Sequence, residues 1–404
     1  MINCRICNKK LIKIINLGKI ALVGSFLKKR ENQKKYKISL CYCISCKHVQ
    51  ILERLNPDLL FKKYLWETGI SKSNISILKH LLLKLQKLGI KKKSKIIEIA
   101  SNDGSFIEIL KKKFSSNVIG VDPATNLVKK AKQKNIFTIN NYFNFNLSNK
   151  IIKKFAKFDF IFARNVVAHI KNPNEIFKGA ENILDDNGVF IIEVPHLLNI
   201  LEQNQYDNIF HEHIGFHSLK SIDDLCNLNS LKIFDVDIIN SQGGSIRCYI
   251  CKKNSKKKIS RKVEKILKIE KKLGIFSKNK LQGFKNKIIN HSKNLNKLIN
   301  NLKKNGKKVS AYGASGKGQA LMQFSKINYN LIDYVFDKSK LKQGCFTPGT
   351  LIKIKDPKEI SSENIDYLLI LSWNIKNEII KQEQKFLKNG GKFIIPFPKP
   401  KVIN

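Results

Sequence analysis

The stretch from Lys95 to Asp122 constrains the fold more than any other part of the chain. Lys95-Ile96-Ile97-Glu98-Ile99-Ala100 has the pattern of a short buried strand, and Ser101-Asn102-Asp103-Gly104-Ser105 is a turn. The helical pattern Phe106-Ile107-Glu108-Ile109-Leu110-Lys111 follows. Asn117-Val118-Ile119-Gly120-Val121-Asp122 then gives a strand ending in an acid, with a further helix from Asn126 to Lys134. This order is that of a nucleotide-binding βαβ unit, so the middle of the chain is expected to be α/β. A carboxylate at the end of the second strand, here Asp122, can hold the hydroxyls of a ribose. Ala100 and Asn102 occupy loop positions where glycines are common. A pyrophosphate needs close approach of the backbone, so the loop suits S-adenosylmethionine, which has no phosphates, better than a dinucleotide.

The same unit continues through Phe158-Asp159-Phe160-Ile161-Phe162-Ala163-Arg164-Asn165 and through Gly188 to Pro195, both apolar strands. Leu231–Ile239 and Ser245–Cys251 flank Gly243-Gly244 and predict a final antiparallel pair, the edge that marks class I methyltransferases. His169, just past the third strand, is read as a structural residue.

Cys4-x-x-Cys7 and Cys43-x-x-Cys46 are two knuckles that suit one tetrahedral zinc. Four thiolates leave no open coordination position, so this zinc is expected to fold residues 1–56 and not to catalyse. Cys41 is the spare, because only Cys43 completes a two-residue spacing with Cys46. The beginning of the chain shows no apolar leader, and no run reaches the ~18 residues of a membrane span. The expected location is therefore cytoplasmic, with nine cysteines serving as ligands or core residues and not as disulfides.

Residues 306–404 read as a second, smaller α/β unit. Strands are expected at Lys307–Gly313, Ile332–Asp337, Asp366–Leu371 and Lys392–Pro396. Gly313-Ala314-Ser315-Gly316-Lys317-Gly318 turns the first of these into a helix. Backbone N–H groups there, with Lys317 beside them, form a candidate anion site. Between the two α/β units, residues 255–305 show Leu281, Phe284, Ile288, Leu295, Leu298 and Leu302 at helical spacing, an amphipathic connector. The middle unit takes residues 57–254.

The chain carries 76 Lys and Arg against 31 Asp and Glu, a net charge of +45. Such a balance is found in nucleic-acid-binding proteins. Here the lysines are spread along the whole length, with no aromatic-interleaved basic motif, so the charge is read as a compositional bias and nucleic acid is not an expected partner.

Together these motifs resemble one family, the S-adenosylmethionine-dependent C-methyltransferases that act on nucleotide-linked deoxyketosugars. The resemblance runs through both Cys pairs, Glu98 to Gly104, Ala163-Arg164-Asn165 with Ala168-His169, and Phe210-His211-Glu212-His213. It continues through Ala311 to Gly318, Leu341-Lys342-Gln343-Gly344 with Thr347-Pro348-Gly349-Thr350, and Gly390 to Pro396. It implies a zinc-binding N-terminal part, a methyltransferase middle and a Rossmann-like C-terminal part, with a nucleotide-linked ketosugar between the last two. It also implies that Glu98, Ala100, Asn102, Gly104, Asp122, Arg164 and Asn165 line the cofactor. His213 becomes the base that removes a proton beside the ketone, with Glu212 orienting it or holding a sugar hydroxyl, and His211 as the alternative base. Tyr64, Trp66, Phe210, Gly313, Ser315, Gly316, Lys317 and Gly318 become the substrate-binding set. Phe210 stands where the family usually has Tyr, and Trp66 lies in a segment that is usually tyrosine-rich. Both departures bear on which sugar is held. An O- or N-methyltransferase on a small molecule, and a basic nucleic-acid-binding relative of methyltransferases, are the other readings. The oligomeric state is not legible.

Overall fold

The structure is a computed structural model that describes residues 3–62, 64 and 74–403. Trp66, named above, lies outside the described residues.

Three sheets organise it. The N-terminal part contributes β1 (Leu11–Ala21), β2 (Lys35–Cys43) and β3 (Val49–Ile51). The middle part supplies β4 (Lys95–Ile99), β5 (Asn117–Val121), β6 (Thr138–Ile139), β7 (Phe158–Arg164) and β8 (Leu184–Pro195), then β9 (Gly215–Phe216), β10 (Leu231–Ile239) and β11 (Ser245–Lys252). The C-terminal part holds β12 (Val309–Tyr312), β13 (Tyr334–Phe336), β14 (Lys353–Lys355), β15 (Tyr367–Ile370), β16 (Lys392–Ile395) and β17 (Lys401–Ile403).

The middle sheet runs β10-β11-β8-β7-β4-β5-β6. β4, β5, β6, β7 and β8 pair in parallel, and β11 is antiparallel to both β8 and β10. This is the class I methyltransferase sheet, and the antiparallel pair lies where the Gly243-Gly244 turn predicts it. Ile96, Ile97, Phe162, Ile191 and Ile192 are buried, as expected for strands covered on both faces. The helices Ser105–Phe114 and Pro173–Ile183 bury Phe106, Ile107, Leu110, Ile176 and Phe177 on this sheet.

The C-terminal sheet runs β14-β13-β12-β15-β16-β17, parallel except for β17. It is the Rossmann-like order, and the chain order reverses between β12 and β15. The connector forms helices Arg261–Lys272 and Lys278–Lys304. The second buries Leu281, Phe284, Ile288, Leu295 and Ile299, close to the stripe read from sequence.

The N-terminal sheet, β1-β2-β3-β9, is not self-contained. Its fourth strand comes from the middle part, through Val49 opposite Phe216 and Gln50 opposite Gly215. It also meets the C-terminal part: Leu27 bridges Phe346, and Gln323 Oε1 accepts from Ala21 N at 2.7 Å. Its core residues Ile15, Leu40 and Val49 belong to one cluster with Leu281, Leu321 and Val335. Among the described residues, no helix is long and apolar enough to cross a membrane.

Candidate active site and zinc centre

The zinc residues come together from two turns. Sγ atoms of Cys4, Cys7, Cys43 and Cys46 all lie within 4.8 Å of one another, with Cys4–Cys46 at 3.5 Å and Cys7–Cys43 at 3.4 Å. A tetrahedron of Zn–S bonds near 2.3 Å fits such a cluster. Positive φ at Asn8 and Lys47 closes the two knuckles. The four thiols cannot all ionise unaided. The Cys46 thiol holds Cys4 down at about 5, while burial pushes Cys43 up to about 11. A divalent cation removes that conflict. Cys41 stays outside the cluster.

The cofactor-type loop sits at the carboxyl end of β4, where the middle sheet reverses its strand order. Ala100, Asn102 and Gly104 have φ of 58°, 55° and 73°. This explains why glycine is common at these places: the loop needs left-handed backbone whatever the side chain. Asp122 locks it. Its Oδ2 accepts from Asn102 N and its Oδ1 from Ala124 N, both at 2.8 Å. Burial raises the carboxyl, and these two N–H groups oppose it.

Glu98 Oε1 accepts two bonds from Arg164, at 3.0 and 2.8 Å, and that guanidinium lies 3.5 Å from the Phe106 ring centre. Glu98 Oε2 and Asn165 Oδ1 are buried with no hydrogen-bond partner among the described residues. Burial pushes Glu98 up to about 7 against the pull of Arg164. Two orphaned acceptors beside a ribose-type acid are a fit for a ligand with an ammonium and hydroxyls, which S-adenosylmethionine has. Replacing Asp122 by Ala should weaken its calorimetric binding by ~1.5–3 kcal/mol, the range for bonds to a charged group. Unchanged affinity would rule out this placement of the ribose.

The loop from Tyr206 to His217 carries the imidazoles. His213 Nδ1 lies 3.1 Å from Asn208 O, so Nδ1 carries the proton and Nε2 keeps its lone pair. His213 packs against Phe210 at a 32° tilt, with ring centres 4.2 Å apart, and meets His169 edge-on at 4.7 Å. Burial, His169 and Lys317 hold its pKa well below the ordinary value, so it is neutral at working pH. His213 is partly buried, less open than an exposed cleft residue. His169 Nδ1 is 2.7 Å from the backbone oxygen of Glu212. That bond to the backbone suits the structural role read from sequence, and it sets the His169 ring against His213. Asn208, which fixes the tautomer of His213, was missed by the sequence reading.

Among the described residues, the Glu212 carboxylate makes no hydrogen bond to His213. Its Oε2 accepts from the Tyr64 hydroxyl at 3.3 Å, and its Oε1 faces Gly24, where a Cβ would lie 3.4 Å away. Burial pushes Glu212 up to about 7. A carboxyl raised on folding contributes stability below its unfolded pKa that is lost as pH rises through the folded one. The stability of the native chain relative to Glu212→Gln should therefore fall between pH 4.5 and about 7. Denaturant melts at pH 5 and 8 check this, and an unchanged difference would mean that Glu212 does not titrate there. His211 points elsewhere: its Nε2 lies 3.1 Å from Lys37 O on the N-terminal sheet.

The glycine loop of the C-terminal unit faces this cluster. Phe210 lies 3.7 Å from where a Gly316 Cβ would be. Gly313, at φ 91°, lets its loop pass Ser372, whose Oγ would be 2.4 Å from a Cβ. Asp337 accepts from Ala314 N at 2.7 Å, the counterpart of Asp122 with Asn102. Ser315 caps Gly318 N at 3.2 Å, at the start of helix Gly316–Phe324. Lys317 is buried, its Nζ 2.5 Å from Gln242 O, and burial lowers it to about 8 while Asp207 opposes this. Its charge thus sits at the seam of the two units, close enough to His213 to act on that imidazole.

A curated protein, C-methyltransferase NovU of Streptomyces niveus, is 30% identical over 406 residues, covering 99% of this chain and 96% of that protein. This chain belongs to the C-methyltransferase family. Three family models match along it: "Putative zinc binding domain" over residues 4–61, "Methyltransferase domain" over 73–234 and "C-methyltransferase C-terminal domain" over 240–398. S-adenosylmethionine is accordingly the methyl donor of this C-methyltransferase, and the four cysteines form its structural zinc centre. Two solved structures that resemble it align over about half of the chain. An S-adenosylmethionine-dependent methyltransferase of Clostridium acetobutylicum has TM-score 0.36 and 16% identity over 45% of this chain and 92% of that one. The PH0226 protein of Pyrococcus horikoshii has TM-score 0.36 and 17% identity over 50% and 100%.

Proposed function

We propose that this C-methyltransferase methylates the carbon beside the ketone of a nucleotide-linked 4-keto-deoxysugar, through an enolate made by His213. The observation that supports this most is the fixed tautomer of His213. With its Nδ1 proton committed to Asn208 O, Nε2 keeps a bare lone pair on a ring that packs against Phe210 and His169. A ketone acidifies the neighbouring C–H, so one neutral imidazole is sufficient base. The proton moves to Nε2, and its electron pair becomes the enolate. An imidazolium is disfavoured at this buried place, and the enolate charge beside it offsets that cost. The cofactor, when bound, supplies an electrophilic methyl. The chain's own part is to hold the carbon nucleophile in line with it, a matter of positioning. Tyr64 and Glu212 are suited to hold a sugar hydroxyl, and the Gly313–Gly318 loop with Lys317 to hold the diphosphate end. The cytoplasm is the proposed compartment.

Incubation with labelled S-adenosylmethionine and a panel of nucleotide-4-ketosugars tests this. A C-methylated sugar is the expected product, and an O-methyl product would remove the need for an enolate. Lys317→Ala should raise KM for the nucleotide-sugar and leave S-adenosylmethionine affinity unchanged, since the two ligands occupy different α/β units. Equal loss of both affinities would make the glycine loop a structural turn only.

A further inference from the structure

Two buried charges meet at the seam between the methyltransferase part and the C-terminal part, and only Lys317 has a task in holding substrate. Lys317, the second residue of helix Gly316–Phe324, is 7% exposed. Asp207, in the short turn Tyr206–Asn208, is fully buried, and that turn packs on the helix. Among the described residues, no carboxylate is within salt-bridge distance of Lys317, whose Nζ donates to Gln242 O. Asp207 Oδ2 accepts from Trp373 Nε1 at 2.7 Å. The Trp373 ring in turn closes on Gly243, with Cη2 2.7 Å from where a Cβ would stand. Gln205 Nε2 donates to Gly243 O at 2.6 Å. Ammonium and carboxylate are thus both fixed around the turn Ser241–Gly244, Lys317 directly and Asp207 through Trp373.

Burial penalises only the charged form, so a buried lysine without a counter-charge gives up its proton. Burial lowers Lys317 to about 8, and Asp207 opposes this. The support is mutual. Burial raises the Asp207 carboxyl, while Lys317 and the Trp373 N–H oppose it. The other titratable group acting across the seam is His213, whose imidazolium form Lys317 disfavours. Tyr206 turns its hydroxyl away, to His291 and Ser325. The turns Ser241–Gly244 and Trp373–Ile375, and the rest of the Lys317 helix, bring no charged residue.

We propose that Asp207 is a positioning residue: its buried carboxylate, held by Trp373, is the counter-charge that keeps Lys317 an ammonium ready for an anionic group of the substrate. This rests on the reading that the glycine loop and Lys317 hold the diphosphate end. A neutral Lys317 cannot pair with a phosphate. Capture of the nucleotide-sugar should therefore weaken as pH rises through the Lys317 titration. Cofactor binding, in the other α/β unit, should not follow it.

The test uses the full zinc-loaded chain with lysine carbon-13-labelled at Cε, first without substrate. One lysine should titrate near pH 8, well below the others, and its signal should be missing from Lys317→Arg. Asp207→Asn keeps the shape and an oxygen for the Trp373 N–H but removes the charge. There the titration should move down by ~1 pH unit or more, the effect of losing a nearby opposite charge. An unmoved titration would overturn the proposal. KM for the nucleotide-sugar should follow the same curve. In native protein it should rise above pH 8, and in Asp207→Asn the rise should begin lower and be undone at pH 6. Calorimetric affinity for S-adenosylmethionine should stay constant throughout. A KM raised equally at every pH would make Asp207 a packing residue and sink the idea. If the lysine titration moves and KM does not follow, the diphosphate reading fails while the coupling of Asp207 to Lys317 stands. Should Asp207→Asn not fold, Trp373→Phe takes the N–H from the carboxylate and leaves a ring. It should give a smaller downward shift of the same lysine, and no shift there would equally overturn the proposal.

Discussion

His213→Ala is expected to lower turnover by ~10²–10⁴-fold, the worth of a positioned acid–base group. The first half-reaction can be read alone. With S-adenosylhomocysteine bound and no methyl to transfer, the native protein should exchange the hydrogen beside the ketone with deuterated water. His213→Ala should lose that exchange. Binding of both ligands should survive, because the ring contributes one face of a cleft whose other contacts come from separate elements. His211→Ala should slow exchange much less, since that ring is tied to Lys37 O on the N-terminal sheet. The opposite order would move the base to His211. Asn208 adds a subtler control: it acts through its backbone carbonyl, so a side-chain change there should leave the tautomer of His213 intact.

Cys7→Ser should have the other large effect. The native protein should carry about one zinc per chain, and the variant should lose metal and solubility together. Fresh, unchelated protein without zinc would refute the assignment to Cys4, Cys7, Cys43 and Cys46. Activity should fall in the same step. β9 pairs with β3, and His211 is anchored on β2, so the loop bearing His213 leans on the sheet that the metal helps to fold.

The α/β layout was legible because buried parallel strands are apolar runs whose loops announce themselves. Lys95–Ile99, Asn117–Val121 and Phe158–Arg164 are strands where the pattern put them. The cysteine spacing likewise pointed to a cluster that the fold does assemble. The strands of the N-terminal part were not legible. β1 alternates weakly and carries register shifts between Lys13 and Ile15 and between Asn16 and Lys19, so its pattern of two is broken. The site was legible in its residue types but not in its pairings. Adjacency in Phe210-His211-Glu212-His213 suggested that Glu212 orients His213. The chain turns so that Glu212 meets Tyr64, His211 meets Lys37 and His213 meets Asn208. Those partners are set by long-range packing, which short spacing cannot encode. Lys317 shows the same limit: the glycine loop was visible, but the reach of the side chain to Gln242 depends on how two units pack.

The loan of β9 to the N-terminal sheet has a consequence for descent. The first sixty residues are not a cassette that recombination can trade between relatives. A swapped N-terminal piece would meet a foreign fourth strand lying two residues beyond His213. Hybrids should express well only when the parental piece from Gln205 to Ser218 travels with it. The inheritable unit is thus two separated stretches of chain, bound to diverge in step.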